Sequence, residues 1–188
     1  MLLKKYSSNW INDFIHIKFE IEKALSGIAF TVEHVGSTAV PNLDAKPIID
    51  IDIIYTEQTD FEKIKGRLEN VGYYYNGNQG IEGRDVFKRK GDRTGSILEV
   101  VQHHLYVCPI NSKAMERHIL SRDFLRKNDW ARTKYQEMKY ELAEKANQDK
   151  KVYAALKENN INDFIDAIIE KEKLLQNNNF PVPKSSCP

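Results

Sequence analysis

The stretch 33-EHVGSTAVPNLDAKPIIDIDIIY-55 decides how this chain is read. Its last part, Ile48 to Tyr55, is β-branched almost throughout and predicts a strand inside a sheet, covered on at least one face. Asp50 and Asp52 interrupt that run at alternate positions. Residues two apart on a strand share a face, so the two carboxylates project side by side, with Cα atoms roughly 6.6 Å apart. Such a pair repels itself and resists burial unless something positive sits between its members. A divalent cation suits that place, because Mg²⁺ takes oxygen ligands and is commonly held by one or two carboxylates together with phosphate oxygens of a substrate. Ahead of the strand, Gly36 lets the backbone approach a phosphate, Ser37 offers a hydroxyl and an N–H, and Lys46 offers a point charge. The bland alternative is an edge strand whose acids face water or pair with Lys46 or Arg84, behind a Gly-Ser pair that is only a turn.

Working outward, Trp10, Phe14, Ile17 and Ile21 recur at helical spacing and predict an amphipathic helix from Ser8 to about Leu25, with Ser7 or Ser8 as its cap. TVEHV alternates like a short strand leading to Gly36. Asp60 is positioned to cap a helix over Phe61 to Asn70, stopped by Gly72. Tyr73 to Tyr75 and Asp85 to Lys90 read as strands, GDRTGS as a turn, and ILEVVQHHLYV as one long strand. From Asn111 the period becomes helical: Met115 and Ile119, then Ala131, Tyr135, Met138 and Leu142, then Ile161, Phe164, Ile165 and Ile168, the last group with Asn160 as cap. The expected architecture is α/β (α+β): a short mixed sheet flanked by helices over residues 1–110, a helical part of the same domain over 111–175, and a disordered tail over 176–188.

In a chain of 188 residues, 28 Lys and Arg against 27 Asp and Glu give a formal charge of +1. No overall field argues for nucleic acid or an anionic membrane, so an anionic ligand must be met by local groups. Cys108 and Cys187 make neither a disulfide framework nor a zinc pattern. No segment has the length of a signal peptide core or a membrane span, and a cytoplasmic protein is expected.

Gly36-Ser37, twelve intervening residues and then Asp50-Ile51-Asp52-Ile53 resemble the signature of the nucleotidyltransferase superfamily, a Gly-Ser turn before an Asp-h-Asp strand with h apolar. More closely, HVGSTAVPNLDAKPIIDI is similar to the GrpB family, a branch of that superfamily. GIEGRDVFKR, HHLYV, SRDFLR and YAALKENNINDFI resemble further GrpB segments in the same order, so the likeness runs over roughly residues 6 to 170. Tyr106 stands where the family pattern HHLHV has its last histidine.

The resemblance implies Mg²⁺, as one ion or two, on Asp50 and Asp52, and a nucleoside triphosphate whose phosphates lie at Gly36 and Ser37. It implies transfer of a nucleoside monophosphate to a small-molecule acceptor, with metal ions clamping the attacking and leaving oxygens. Lys46 and Arg84 would offset phosphate charge. Superfamily sites commonly add a third carboxylate from a neighbouring strand, and Glu99 is the only acid in ILEVVQHHLYV. Strand parity puts Glu99 on the face of His103, so His104 is the alternative group to complete the site, as base, ligand or phosphate contact. His103 and His104 point to opposite faces, and at most one looks into it. Arg122 and Asp123 are candidates for tying the helical half to the sheet. The alternative function keeps the fold and drops the reaction: a module that binds a nucleotide or metabolite, or docks on a partner. Neither a membrane nor a nucleic acid is expected as partner.

Overall fold

The computed structural model describes residues 1–91 and 95–179. In chain order the elements are α1 (Asn9–Ala24), β1 (Phe30–Val35), a 3₁₀ turn (Ser37–Ala39), β2 (Ile49–Tyr55), α2 (Gln58–Asn70), β3 (Tyr73–Tyr75), β4 (Asp85–Arg89), α3 (Ile97–Val100), β5 (His103–Pro109), α4 (Lys113–Lys127), α5 (Asp129–Lys145) and α6 (Lys150–Asn179). The five strands form one mixed sheet in the order β1-β2-β5-β4-β3. Only β2 and β5 run parallel; the other pairs are antiparallel.

The aspartate strand is therefore flanked on both sides, not exposed at an edge. On one face of β2, Ile49, Ile51 and Ile53 are at most 1 % exposed and pack into a core with Ile17 and Ile21 of α1 and Ile64 and Leu68 of α2. The period of two then sends Asp50 and Asp52 to the opposite face. There the register sets Asp50 opposite Val35 and His104, and Asp52 opposite Glu33 and Tyr106. A second core, from Leu2, Leu3, Val40 and Leu43 together with α4, α5 and α6, builds the helical half. Lys4 pairs with Ala45 in an isolated antiparallel bridge and the Leu2 N–H donates to Gln148, so the N-terminal residues strap the two halves together.

Several expectations need correction. ILEVVQHHLYV is not one strand: Ile97–Val100 forms the single turn α3, and β5 starts at His103. Ser96 caps that turn by accepting from the Leu98 N–H at 3.3 Å, Leu98 enters the core, and Glu99 pairs with Arg89. A good N-cap and a buried anchor outweigh the strand propensity of Ile and Val here. Asp60 is not the cap of α2; Glu57 holds that position, while Asp60 sits in the first turn, 7 % exposed and 2.8 Å from Lys63. Asn160 lies inside α6, its amide donating to the Leu156 carbonyl, because Asp149 caps the helix earlier through the Lys151 and Val152 N–H groups, both at 2.8 Å. The residues 176–179, expected in a disordered tail, are the last of α6. The remainder of that tail, with Cys187, and the middle of the turn GDRTGS lie outside the described residues.

Candidate functional site

The polar face of β2 opens into a cavity of about 770 Å³ between the sheet and the helical half. Gly36, Ser37, Lys46, Asp50, Arg84 and His104 all line it, so six of the eight sequence candidates converge. Asp52 and Glu99 do not. Asp52 is fully buried beside the cavity, whereas Glu99 lines a separate, smaller cavity of about 530 Å³ that shares His104 and Tyr106 with the first.

The turn before β2 shapes the approach to Asp50. Gly36 has φ 71° and ψ −169°, a conformation essentially restricted to glycine. A Cβ built there would lie 2.3 Å from Oδ2 of Asp50. Backbone and carboxylate thus come together only because the side chain is missing.

Each aspartate is held by a histidine. The Nδ1–H of His104 donates to Oδ1 of Asp50 at 2.8 Å, and the Nδ1–H of His118, on α4, donates to both oxygens of Asp52 at 2.9 and 3.1 Å. Burial acts to raise the Asp50 carboxyl, but the hydrogen bond and charge of His104, with Lys157 and His118 behind them, bring its pKa below the usual carboxylate value. For Asp52 burial wins over the His118 hydrogen bond, and its pKa is raised. The two acids are therefore unequal: Asp50, its side chain 28 % exposed, is the anion that faces the cavity, and Asp52 is its buried neighbour.

Neither Lys46 nor Arg84 forms an ion pair with them, though Arg84 acts on Asp52 through its charge. The Nζ of Lys46 stands 5.0 Å from the ring centre of Tyr153, and the guanidinium of Arg84 lies 4.8 Å from that of Tyr106. Arg84 Nε is buried without a hydrogen-bond partner among the described residues. Arg84 follows Gly83, which has φ 71° and packs so closely on Ser112, the cap of α4, that a Cβ there would lie 2.8 Å from the Ser112 Cβ.

Sequence reasoning missed three residues from the helical half: His118, Lys139 and Lys157, all lining the cavity. Lys139 is 1 % exposed, donates to the Asp44 carbonyl and lies 5.0 Å from the Tyr135 ring centre; Lys157 is 6.0 Å from the same ring. With Lys46 they form a recess in which ammonium groups meet rings and a carbonyl in place of carboxylates. Burial, and next the charge of Lys157, push Lys139 well below its usual pKa; the same two causes lower Lys46. The Tyr135 hydroxyl, followed by Tyr153 and Asp50, holds Lys157 above its usual value against burial. At Lys46 and Lys139 nearby negative charge is too little to offset burial. Tyr135, expected only in a packing stripe, both joins the core and lines this recess.

The remaining candidates serve the scaffold. Glu99 accepts from Arg89 Nε at 2.7 Å and is tied to its Nη2 as well. His103 faces away from Asp50: its Nδ1–H donates to the Val101 carbonyl at 2.8 Å, and its Nε2 accepts from the Tyr73 hydroxyl at 2.6 Å. Arg122 ties α4 to β1, donating to Glu33 at 2.6 Å, to the His34 carbonyl at 2.9 Å and to Asp123 at 2.7 Å.

Among the described residues no group of three or more His, Cys, Asp and Glu side chains is arranged to hold a metal ion. The donor set still fits one kind of cation: a hard ion shared between Asp50, with Asp52 behind it, and the phosphates of a ligand. Asp50 would reach such an ion from the cavity it lines, while the Gly36 backbone packs against its Oδ2. No helix of the described residues is long and apolar enough to cross a membrane.

Comparison with known proteins places this arrangement. The family model described as GrpB protein matches residues 1–171. The chain is 30% identical over 172 residues to the glutamate-rich protein GrpB of Alkalihalophilus pseudofirmus, covering 91% of this chain and 95% of that one. It is 34% identical to the UPF0157 protein BH1888 of Halalkalibacterium halodurans, over 76% of this chain and 69% of the other, whereas it spans only 38% of the length of the UPF0157 protein YqkA of Bacillus subtilis. Among solved structures, the conserved protein GrpB from Enterococcus faecalis superposes with a TM-score of 0.72 at 28% identity, over 90% of this chain and 98% of that one. Cid1, in complex with its short product ApU, superposes with a TM-score of 0.52 at 13% identity, over 74% of this chain and 42% of Cid1. That likeness is of the fold alone, and it is a nucleotidyltransferase-like one. On the match of residues 1–171, from the N-terminal strap into α6, this chain belongs to the GrpB family.

Proposed function

We propose that the protein binds a nucleoside triphosphate with Mg²⁺ and transfers the nucleoside monophosphate to a small-molecule acceptor. One observation carries the reading: a single cavity is lined by the anionic Asp50 and by three lysines, Lys46, Lys139 and Lys157, that form no ion pair with a carboxylate among the described residues. Metal and polyphosphate together satisfy both, the first answering Asp50 and the second answering Lys46, Lys139 and Lys157. Asp50 would hold the ion, with Asp52 buried behind it, and the ion when bound supplies Lewis-acid stabilisation of phosphoryl oxygens. Ser37 and the glycine backbone receive phosphate oxygens, and the lysines offset the charge that builds on the departing pyrophosphate. His104 and His118 fix the orientation of the two carboxylates. Arg84 brings an N–H that has no partner among the described residues.

A second reading is favoured by the position of Glu99. With that acid tied to Arg89 and, among the described residues, no group of three metal-ligating side chains at Asp50, the site suits a protein that binds a nucleotide or metabolite without turnover. Incubation with each α-labelled triphosphate, Mg²⁺ and a small-molecule cell extract separates the two. Label transfer that requires Asp50 and Asp52 supports the transferase; tight binding with no transfer supports the binding module.

A further inference from the structure

The helix α6 runs along the cavity and brings four polar residues to it: Lys157, Glu158, Asn162 and Asp166. From Lys157 to Asp166 the helix advances roughly 13.5 Å at its rise per residue. That span suits an extended nucleoside triphosphate, with phosphates at the lysine end and the base at the other. On α4, Arg117 adjoins His118, which holds Asp52.

Arg117 fixes what the Asn162–Asp166 end presents. Its Nη2–H donates to Oδ1 of Asn162 at 3.0 Å, and its Nη1–H donates to Oδ1 of Asp166. A guanidinium only donates, so Asn162 must turn its oxygen to Arg117, which leaves the amide N–H₂ free. Asp166 keeps Oδ2 as an acceptor. Residues four apart share a helix face, so an oriented donor and a charged acceptor stand side by side. Ile165, beside Asp166 on α6, and Ile81, 40 % exposed on the loop before β4, also line this cavity. A polar pair in a cavity with apolar walls suits a flat ring whose edge is read by hydrogen bonds.

We infer that this end of the cavity reads a nucleobase and that the base is guanine; the inference rests on the nucleotide reading above. Guanine alone offers two adjacent N–H donors, N1–H and N2–H, beside a carbonyl. The Asp166 carboxylate accepts the two, and the Asn162 amide donates to O6. Adenine and cytosine give the carboxylate one N–H next to a ring-nitrogen lone pair, and uracil gives one N–H between two carbonyls. Those lone pairs repel the carboxylate and leave it partly unpaired, which is how a polar site rejects a near-isostere.

Titration calorimetry with Mg²⁺ and non-hydrolysable GTP, ATP, CTP and UTP analogues tests it, on the full chain and on Asp166→Asn. Asp166 is 60% exposed, so the substitution leaves the fold intact, as circular dichroism will confirm. The wild type is expected to bind the guanine analogue about tenfold or more tighter than the adenine one, and Asp166→Asn to bring the two within about threefold. The same variant should gain affinity for the xanthine analogue, whose O2 faces the new amide. Equal binding of the four bases by the wild type, or an unchanged guanine-to-adenine ratio in Asp166→Asn, overturns the base assignment and leaves triphosphate binding standing. Binding of no triphosphate at all overturns the nucleotide reading and this inference with it.

Discussion

A Cβ on Gly36 would lie 2.3 Å from Oδ2 of Asp50, so the turn and the strand carboxylate touch through a side chain that is not there. The contact joins two facts of the sequence, a Gly-Ser pair and an aspartate fourteen residues later. It also explains why β2 tolerates a charge: the anion is turned into a cavity, held by His104 on one side and left open on the other.

Gly36→Ala should therefore damage the site more than the fold. The alanine must leave the glycine-only backbone region or displace Asp50, at about 1–3 kcal/mol of stability. Thermal melts measure that loss, and titration calorimetry should show Mg²⁺-dependent triphosphate binding reduced by a larger factor than the melting shift accounts for.

Glu99 gives the opposite pattern. It and Arg89 are 14% and 15% exposed, so removing the carboxylate strands a half-buried guanidinium. Glu99→Ala is expected to lower stability by about 1–3 kcal/mol in urea unfolding. Triphosphate affinity in the same protein should stay at the wild-type value; a loss of affinity without a loss of stability would return Glu99 to the site.

How far the site was legible follows from the kind of signal each residue gives. Asp50 and Asp52 stand out because a charge at alternate positions of a β-branched run violates a local rule, and the period of two fixes their shared face. Glu99 misleads for a local reason as well, since Ser96 converts the start of an apparent strand into a capped turn. His118, Lys139 and Lys157 leave no local trace. Helical spacing tells which side of α4, α5 or α6 they occupy, but their partners lie far along the chain: Asp52 is 66 residues from His118 and Asp44 is 95 from Lys139. Lys139, read only as part of a helix, becomes notable once its 1 % exposure is known.

The lysine recess predicts a dependence on phosphate number. Lys157→Gln should weaken triphosphate binding about tenfold or more, the worth of a charge-assisted hydrogen bond, and leave a nucleoside monophosphate almost unaffected. Comparing the two ligands by equilibrium dialysis reads the difference; equal loss for both would remove the recess from the phosphate path.

The fold should weaken in mild acid through His34. That ring is 6 % exposed, stacks on Phe14 at 4.7 Å between centroids and meets Thr38 Oγ1 at 3.0 Å, and burial lowers its pKa to about 4. In the unfolded chain it protonates near pH 6.5. Between those values the unfolded state binds the extra proton, so stability is complete above about pH 6.5 and falls as pH drops towards 4, by up to about 3 kcal/mol. Urea unfolding across that range, with the His34 ring resonances followed by NMR, checks both the slope and its source.

The most direct test of the central claim compares triphosphate binding with and without Mg²⁺ in the wild type and in Asp50→Asn. The expected result is that Mg²⁺ strengthens binding of a non-hydrolysable triphosphate to the wild type by about tenfold or more, and that Asp50→Asn loses this increment while keeping its fold and the metal-free affinity supplied by the lysines. An Asp50→Asn protein that retains the full Mg²⁺ increment, or a wild type that binds no triphosphate, would contradict the account.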